Sequence, residues 1–339
     1  MKTLTHRTTW LLKPVLGFSL LLGMAGFYGS SPASNTWTGA KTGTPVRLAH
    51  FPNVTHAPAL VGVAKGFFQQ ELGNSPLSVK VVAAGPEAME ALLAGAIDVA
   101  YTGPGPAINT FIKSHGKALR VISGACEGGA SLVAVSTANV QAVRDLNGKR
   151  VAVPSLGSTQ DISLRYFLAQ AGLSTKDKGG TVEVLAIKPA DTLSLMKSGQ
   201  LDAAWMPEPW TSRLIAEAGA KLIVEERNLW KPQTFVATVI VARTDFIQNH
   251  PDLVAAIERG HRASVAWIAG NAVEASPVIN AELKRLTGKP LKESVLKSAL
   301  SRVTFVNEVS AESLKRQTQM GIETGYLPLG ADVSGIAGK

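Results

Sequence analysis

Residues 91–104 read ALLAGAIDVAYTGP, and residues 194–209 read SLMKSGQLDAAWMPEP. Laid side by side at an offset of 104, Gly95 falls on Gly199, Asp98 on Asp202, Ala100 on Ala204 and Tyr101 on Trp205. Upstream the correspondence continues at an offset of 103, where Pro86 matches Pro189 and VRLAHFP near residue 46 matches KRVAVPS near residue 149. Several matches in one order at nearly one offset mark two halves built alike. Each half reads strand, loop, helix, strand, helix, strand, the alternation that gives a mainly parallel sheet covered by helices. In such α/β sheets a ligand sits outside the carboxyl ends of the strands, where helices begin. The repeat therefore points to four loops: Asn53 to Ala57 and Leu156 to Asp161 after the first strand of each half, and Thr102 to Pro106 and Pro207 to Trp210 after the strand that follows G-x-x-D.

Two facing lobes with matching loops describe a cleft. The apolar runs SLVAVS (131–136) and FVATVIVAR (235–243), the second after the loop NLWKPQT, are expected to cross between the lobes as a two-segment hinge. The expected layout is a first lobe of residues 45–133 plus 242–328, a second lobe of 134–241, and a frayed tail at 329–339. From Pro251 onward the pattern is helical, and this part is expected to pack back on the first lobe.

With 339 residues, 45% of them hydrophobic, the chain is long enough for about two domains. The first 33 residues carry Lys2, Arg7 and Lys13 ahead of the 13-residue apolar run Val15 to Phe27, and Ser31-Pro32-Ala33 supplies small residues at a cleavage point. That run is short for a bilayer span and right for a signal peptide, so export to the periplasm with cleavage near Ala33 is expected. Cys126 is the sole cysteine, which leaves no lipid-anchor cysteine after the apolar run and no intramolecular disulfide. Of the formal net charge of +9, three cations and no acid lie in the leader, leaving +6 for the rest. These charges are scattered, without a basic run interleaved with aromatics, so nucleic acid is not an expected partner and a small anion is.

The loop PSLGSTQD (154–161) ends at a helix start, where Ser158 and Thr159 offer hydroxyls beside free N–H groups and the positive end of the helix dipole. A sulfonate, nitrate, carboxylate or phosphate fits such an end; so does plain helix capping. The Gly-Pro-Gly-Pro run from Gly103 exposes backbone to a ligand, with Thr102 as a further donor, although a tight turn explains the same prolines. His56 is read as an anion or substrate contact, with a capping role or a metal ligand as alternatives; no ligand-type spacing of His, Cys and Asp lies near it, and neither a metal nor a cofactor is expected. Glu208 and Trp210 in MPEPW are read as a partner for an ammonium group and as an apolar or cation-stacking wall, each against a packing alternative.

GSTQDISLRYFLAQAGL, AYTGPGPAINTFIKSHGKALRVI and DAAWMPEPW resemble the corresponding segments of the nitrate/sulfonate/taurine class of extracytoplasmic solute-binding proteins of ATP-binding-cassette importers. The resemblance covers about residues 45–328. It implies a two-lobed periplasmic-binding-protein fold of type II that closes on its ligand, no catalysis, and a membrane permease with its ATPase as partners. It also implies ligand contacts between the lobes at Thr102, Gly103, Pro104, Ser158, Thr159 and Gln160. Two departures stand out: the missing lipid-anchor cysteine and a GPGP run richer in Gly and Pro than the family pattern. The expected protein is a monomeric receptor for an anionic or zwitterionic ligand, an aliphatic sulfonate or taurine first and a nitrate-type anion next. A thiamine-precursor pyrimidine, stacked on Trp210 and Tyr101 with Glu208 accepting from its amino group, is one alternative. A two-lobed lyase of the menaquinone-pathway kind, with His56 or Glu208 as acid or base, is the other.

Overall fold

The computed structural model describes residues 43–230 and 235–338, so the expected leader at 1–33 lies outside the described residues, as do positions 231–234 of the NLWKPQT loop. The first half runs β1 (Val46–His50), α1 (Ala57–Ala64), α2 (Phe67–Leu72), β2 (Leu77–Val81), α3 (Gly85–Leu93), β3 (Val99–Thr102), α4 (Pro104–Lys113) and β4 (Leu119–Gly128). The second runs β5 (Ala130–Val135), β6 (Arg150–Val153), α5 (Thr159–Gln170), β7 (Glu183–Ala186), α6 (Pro189–Lys197), β8 (Ala203–Pro207), α7 (Trp210–Ala218) and β9 (Ala220–Glu225). The chain then returns through β10 (Val236–Arg243), α8 (Thr244–Asn249), α9 (Pro251–Gly270), α10 (Ala272–Thr287), α11 (Glu293–Leu300), β11 (Val303–Phe305) and α12 (Ala311–Glu323).

Two mixed sheets result, ordered β11-β4-β10-β3-β1-β2 and β7-β6-β8-β5-β9. Apart from the edge strand β11 they share one topology, with β1, β2, β3 and β4 taking the places of β6, β7, β8 and β9. In each sheet these four strands run in one sense, and a reversed strand, β10 or β5, is inserted between the third and fourth. Strand alternation sends side chains to opposite faces. Val239, Val241 and Ala100 therefore join one core with α3 and α4, while Ile240, Ala242, Val99 and Tyr101 join another with α2, α8 and α9. The second sheet divides in the same way, Leu132, Val151 and Trp205 packing with α5 and Val133, Ala152 and Met206 with α6 and α7.

The repeated G-x-x-D has a structural cause. Asp98 Oδ2 accepts the backbone N–H of Arg47 at 2.9 Å and its Nε at 2.8 Å, while the same guanidinium also donates to Gly95 O. In the second half Asp202 Oδ2 accepts from Arg150 N at 2.8 Å and Nε at 3.1 Å, and Arg150 Nη2 reaches Gly199 O at 3.0 Å. Gly95 and Gly199 adopt left-handed φ values of +67° and +70°, which turn their carbonyls toward those arginines.

Three expectations need correction. The runs at 131–136 and 235–243 are not crossings: β5 lies wholly in the second sheet and β10 wholly in the first. The lobe boundaries move with them, so that Ala130–Val133 belongs with the second sheet and Val236–Val241 with the first. The outward crossing falls at Gly128 and Gly129, both left-handed, and the return crossing lies between β9 and β10. The segment from 329 is not loose either, since Val333 and Ile336 are buried and Ala337 bridges to Val121.

The two clamps differ in solvent access. The side chain of Asp98 is 3% exposed and lies 3.4 Å from a second guanidinium, Arg243, whereas Asp202 is 22% exposed. Asp98→Ala, which removes a buried carboxylate shared by two guanidiniums, those of Arg47 and Arg243, is expected to cost about 3–5 kcal/mol. Asp202→Ala is expected to cost about 1–2 kcal/mol, because water reaches this carboxylate and it serves one guanidinium only. Urea unfolding of the two variants measures the difference; equal losses would show that solvent access does not set the clamp's strength.

Candidate functional site

A cavity of about 390 Å³ opens between the carboxyl ends of the two sheets. Six helix starts reach its wall: α1 at His56, α3 at Gly85, α4 at Gly103, α5 at Ser158 and Thr159, α6 at Lys188 and Pro189, and α7 at Trp210. Phe51, Pro154, Pro207 and Ala237 supply apolar surface between them. Glu87 is the one carboxylate residue of the wall among the described residues, and it and Lys188 are exposed at the rim.

His56 lies on the wall, only 2% exposed, with its ring stacked on Phe51 at 4.3 Å. Its Nδ1 accepts the Phe51 N–H at 3.2 Å, which places the ring proton on Nε2. Burial, and secondarily the neighbouring His50, hold its pKa well below the ordinary histidine value. The ring is a neutral donor. Ser158 is the N-cap of α5, its Oγ accepting from Asp161 N at 3.2 Å. The Asp161 carboxylate is turned away from the cavity, held by Gly157 N at 2.8 Å and Arg165 Nε at 2.8 Å. Thr159 Oγ1 accepts the N–H of Gly105 at 3.1 Å, a bond from the first half to the second.

Of the expected site residues, His56, Gly103, Ser158, Thr159, Gln160 and Trp210 come together on this wall, and Thr102, Pro104 and Glu208 do not. Thr102 is fully buried one layer behind Gly85, where a methyl group added to Gly85 would lie 3.3 Å from its Oγ1. Pro104 is buried at the first position of α4. Glu208 is wholly buried; its carboxylate accepts from Ser212 N at 3.1 Å and from Arg302 Nη1 at 3.2 Å. Burial raises the Glu208 pKa, opposed by Ser212 and Arg302. Arg302 also bonds Glu225 at 3.1 Å, so the expected ammonium partner is instead part of an ion-pair group joining the α11–β11 segment to the second sheet. Tyr101 is equally withdrawn, its hydroxyl 2.9 Å from Nδ1 of His261, whose Nε2 donates to Val306 O at 2.9 Å. Trp210 is half-buried with the Arg213 guanidinium 4.5 Å over its ring.

Sequence reasoning missed the starts of α3 and α6, which contribute Ala83 to Gly85 and Lys188 to Ala190. The matched prolines Pro86 and Pro189 were the available signal, since Pro in the first turn of a helix marks its start. Thr287 at the end of α10 carried no such signal. Among the described residues, no group of three or more His, Cys, Asp or Glu is placed to hold a metal ion.

The type II arrangement of the two sheets, with a cavity between their carboxyl ends, is that of the two-lobed periplasmic binding proteins, and the comparisons agree. The model of the NMT1-like family matches residues 39–280, and the chain belongs to that family. The taurine-binding periplasmic protein of Escherichia coli (strain K12) is 28% identical over 235 residues, covering 69% of this chain and 70% of that one. A Bacillus subtilis (strain 168) protein with the provisional name of an aliphatic sulfonates-binding protein is 26% identical over 269 residues, covering 78% and 76%. Among solved structures, the alkanesulfonate-binding protein SsuA of Xanthomonas axonopodis pv. citri bound to MOPS superposes with a TM-score of 0.73 at 20% identity, over 87% of this chain and 98% of that chain.

The unfolded His56 titrates near 6.5 and the folded one well below, so the stability contributed by its neutral form is present above pH 6.5 and is lost as pH falls. The difference in unfolding free energy between the wild type and His56→Gln is therefore expected to narrow by up to about 1.4 kcal/mol per pH unit below 6.5. Urea titrations of the pair at pH 7.5 and 5 measure it. A pH-independent difference would mean that the folded ring titrates like a free one.

Proposed function

We propose that this chain is the extracytoplasmic receptor of an ATP-binding-cassette importer and that it captures a small organic oxyanion, an alkanesulfonate or taurine, by closing its lobes around it. The observation that carries this reading is the convergence of six helix starts on a cavity whose one carboxylate among the described residues, Glu87, is exposed at the rim. Each such end adds partial positive charge, and the neutral His56 adds a fixed donor, so an oxyanion is favoured without an arginine. The volume of about 390 Å³ and the apolar surface of Phe51, Pro154, Pro207 and Trp210 support a ligand with an organic tail over bare nitrate. The names of the taurine-binding and sulfonates-binding relatives support the same class. The proposal includes export through residues 1–33 to the periplasm and docking of a monomer on a permease with its ATPase.

The alternatives have less support. Binding of a pyrimidine loses Tyr101 and Glu208, which are engaged elsewhere, and an enzyme needs an acid or base free to act at the cavity. His56 has its Nδ1 occupied, Glu208 is not on the wall, and Glu87 and Lys188 lie exposed at its rim, so the reading is of a binding protein and not an enzyme.

Thermal unfolding of the chain without its first 33 residues, with taurine, ethanesulfonate, nitrate, sulfate, bicarbonate or an aminopyrimidine, tests the proposal. A ligand at about 100 times its Kd adds roughly 2.7 kcal/mol and raises the Tm by several degrees. The sulfonates are expected to do so; a shift with the aminopyrimidine alone, or with nothing, would overturn the assignment. Glu208→Gln is expected to lower stability by about 1–3 kcal/mol and to change taurine and ethanesulfonate affinities by one common factor. Selective loss of taurine would return Glu208 to the ligand.

A further inference from the structure

The first turn of α4 is unusual among the helix starts at the cavity. Pro104 and Pro106 have no N–H, and the N–H of Ala107 is bonded within the turn to Gly103 O at 3.4 Å. Among the first four helical residues, Pro104 to Ala107, Gly105 is thus left with the one N–H not bonded within the turn, and it is directed across the cleft to Thr159 Oγ1. The glycines answer to the same neighbour. A methyl group built on Gly105 would lie 2.9 Å from Ile162 Cδ1, 3.2 Å from Thr159 Cα and 3.3 Å from Thr159 N, and one on Gly103 would collide with Thr159 Oγ1. For Gly105 every one of these atoms belongs to α5 in the opposite lobe. Neither glycine has a positive φ, so α4 itself does not require them. The GPGP run is shaped by the approach of the second lobe.

We infer that Thr159 couples ligand capture to lobe closure: its oxygen takes the one free N–H of α4, and its own proton goes to the anion in the cavity. This rests on the proposed capture of an oxyanion there. A hydroxyl can accept and donate at once, and Thr159 lies both on the cavity wall and at the α4 contact. An anion that accepts the Thr159 proton turns the oxygen lone pairs toward Gly105, and closure in turn fixes the hydroxyl for the anion. A second contact accompanies it on the same loop, where Tyr326 OH donates to Gly157 O at 3.3 Å.

The test measures ethanesulfonate affinity by calorimetry, and the radius of gyration by small-angle X-ray scattering with and without ethanesulfonate. It compares the mature wild type with Gly105→Ala, Thr159→Val and Thr159→Ser. Alanine suits a helix better than glycine, so Gly105→Ala folds its own lobe and obstructs only closure. Gly105→Ala is expected to weaken binding about tenfold or more and to enlarge the radius, Thr159→Val to do the same, and Thr159→Ser to recover most of the loss. Wild-type affinity and radius in Gly105→Ala would overturn the coupling whatever Thr159→Val does, leaving Thr159 as a ligand contact or a cap alone. If ethanesulfonate fails to bind the wild type, the capture reading falls, and the ligand-free radii still decide the contact: expansion in Gly105→Ala upholds it, and equal radii remove it.

Discussion

Each half of this protein depends on one ion pair, in which a carboxylate at the head of the third strand holds both the backbone and the guanidinium of an arginine in the first. Asp98 and Asp202 bind Arg47 and Arg150 in the same way, down to the third contact with Gly95 or Gly199. A residue that donates through its main chain and its side chain to one acceptor cannot slip in register without losing both, and a slip of one residue would turn every core side chain to the wrong face. The clamps sit at the amino ends of the strands. At about 3.3 Å per residue, a strand of four or five residues then delivers its following loop roughly 15 Å away, level with its neighbours. The cavity is built at that far edge, so a pair that never touches it sets the height of the helix starts that line it.

This explains what the sequence could disclose. The clamp needs Gly, Asp and Arg at fixed spacing, so it leaves a repeat, and the repeat locates the four loops that reach the cavity. Trp205 and Tyr101 also matched, yet for burial: Trp205 stacks on Phe167 and donates to Glu226 at 2.8 Å, while Tyr101 meets His261. A pattern shared by two cores reads the same as a pattern shared by two binding surfaces. Glu208 was misread because its partner Arg302 is 94 residues away, beyond anything local spacing reveals. The crossings were misplaced because an apolar run that inserts reversed into a sheet looks like one that spans two lobes; Gly128-Gly129 was the better local sign, since only glycine adopts two successive left-handed φ values easily.

Charge is distributed unevenly between the two sides of the cleft. On the crossing side, Arg302 meets Glu208 and Glu225. Glu226, buried beside Trp205 at the return, has its pKa pushed up by burial to about 7. Among the described residues of the cavity wall the charged side chains are Glu87 and Lys188, both exposed at the rim, while Asp161 is engaged with Arg165 and His56 is neutral. For the proposed closure on an anion, a full cation on the deep wall would need desolvating whenever the cleft closed without a ligand, whereas helix ends carry their partial charge in either state and would bind an anion with little reorganisation.

The same economy bears on release. A receptor of the proposed kind must open again, so the contacts that its lobes make at the cavity itself have to be individually weak. The bond from Gly105 to Thr159 is a neutral one, of a kind worth about 0.5–1.5 kcal/mol, which biases an equilibrium by roughly two- to twelve-fold. That bond alone is too little to hold the lobes shut and, on the proposed reading, enough to matter once an anion adds its own contacts on both sides. Had α4 begun with ordinary residues, three or four N–H groups would face the second lobe, and closure would either strand some of them or bind too firmly to reverse. Two prolines remove those donors, two glycines admit the neighbouring helix, and the single bond that remains is close to the strength that reversible closure requires.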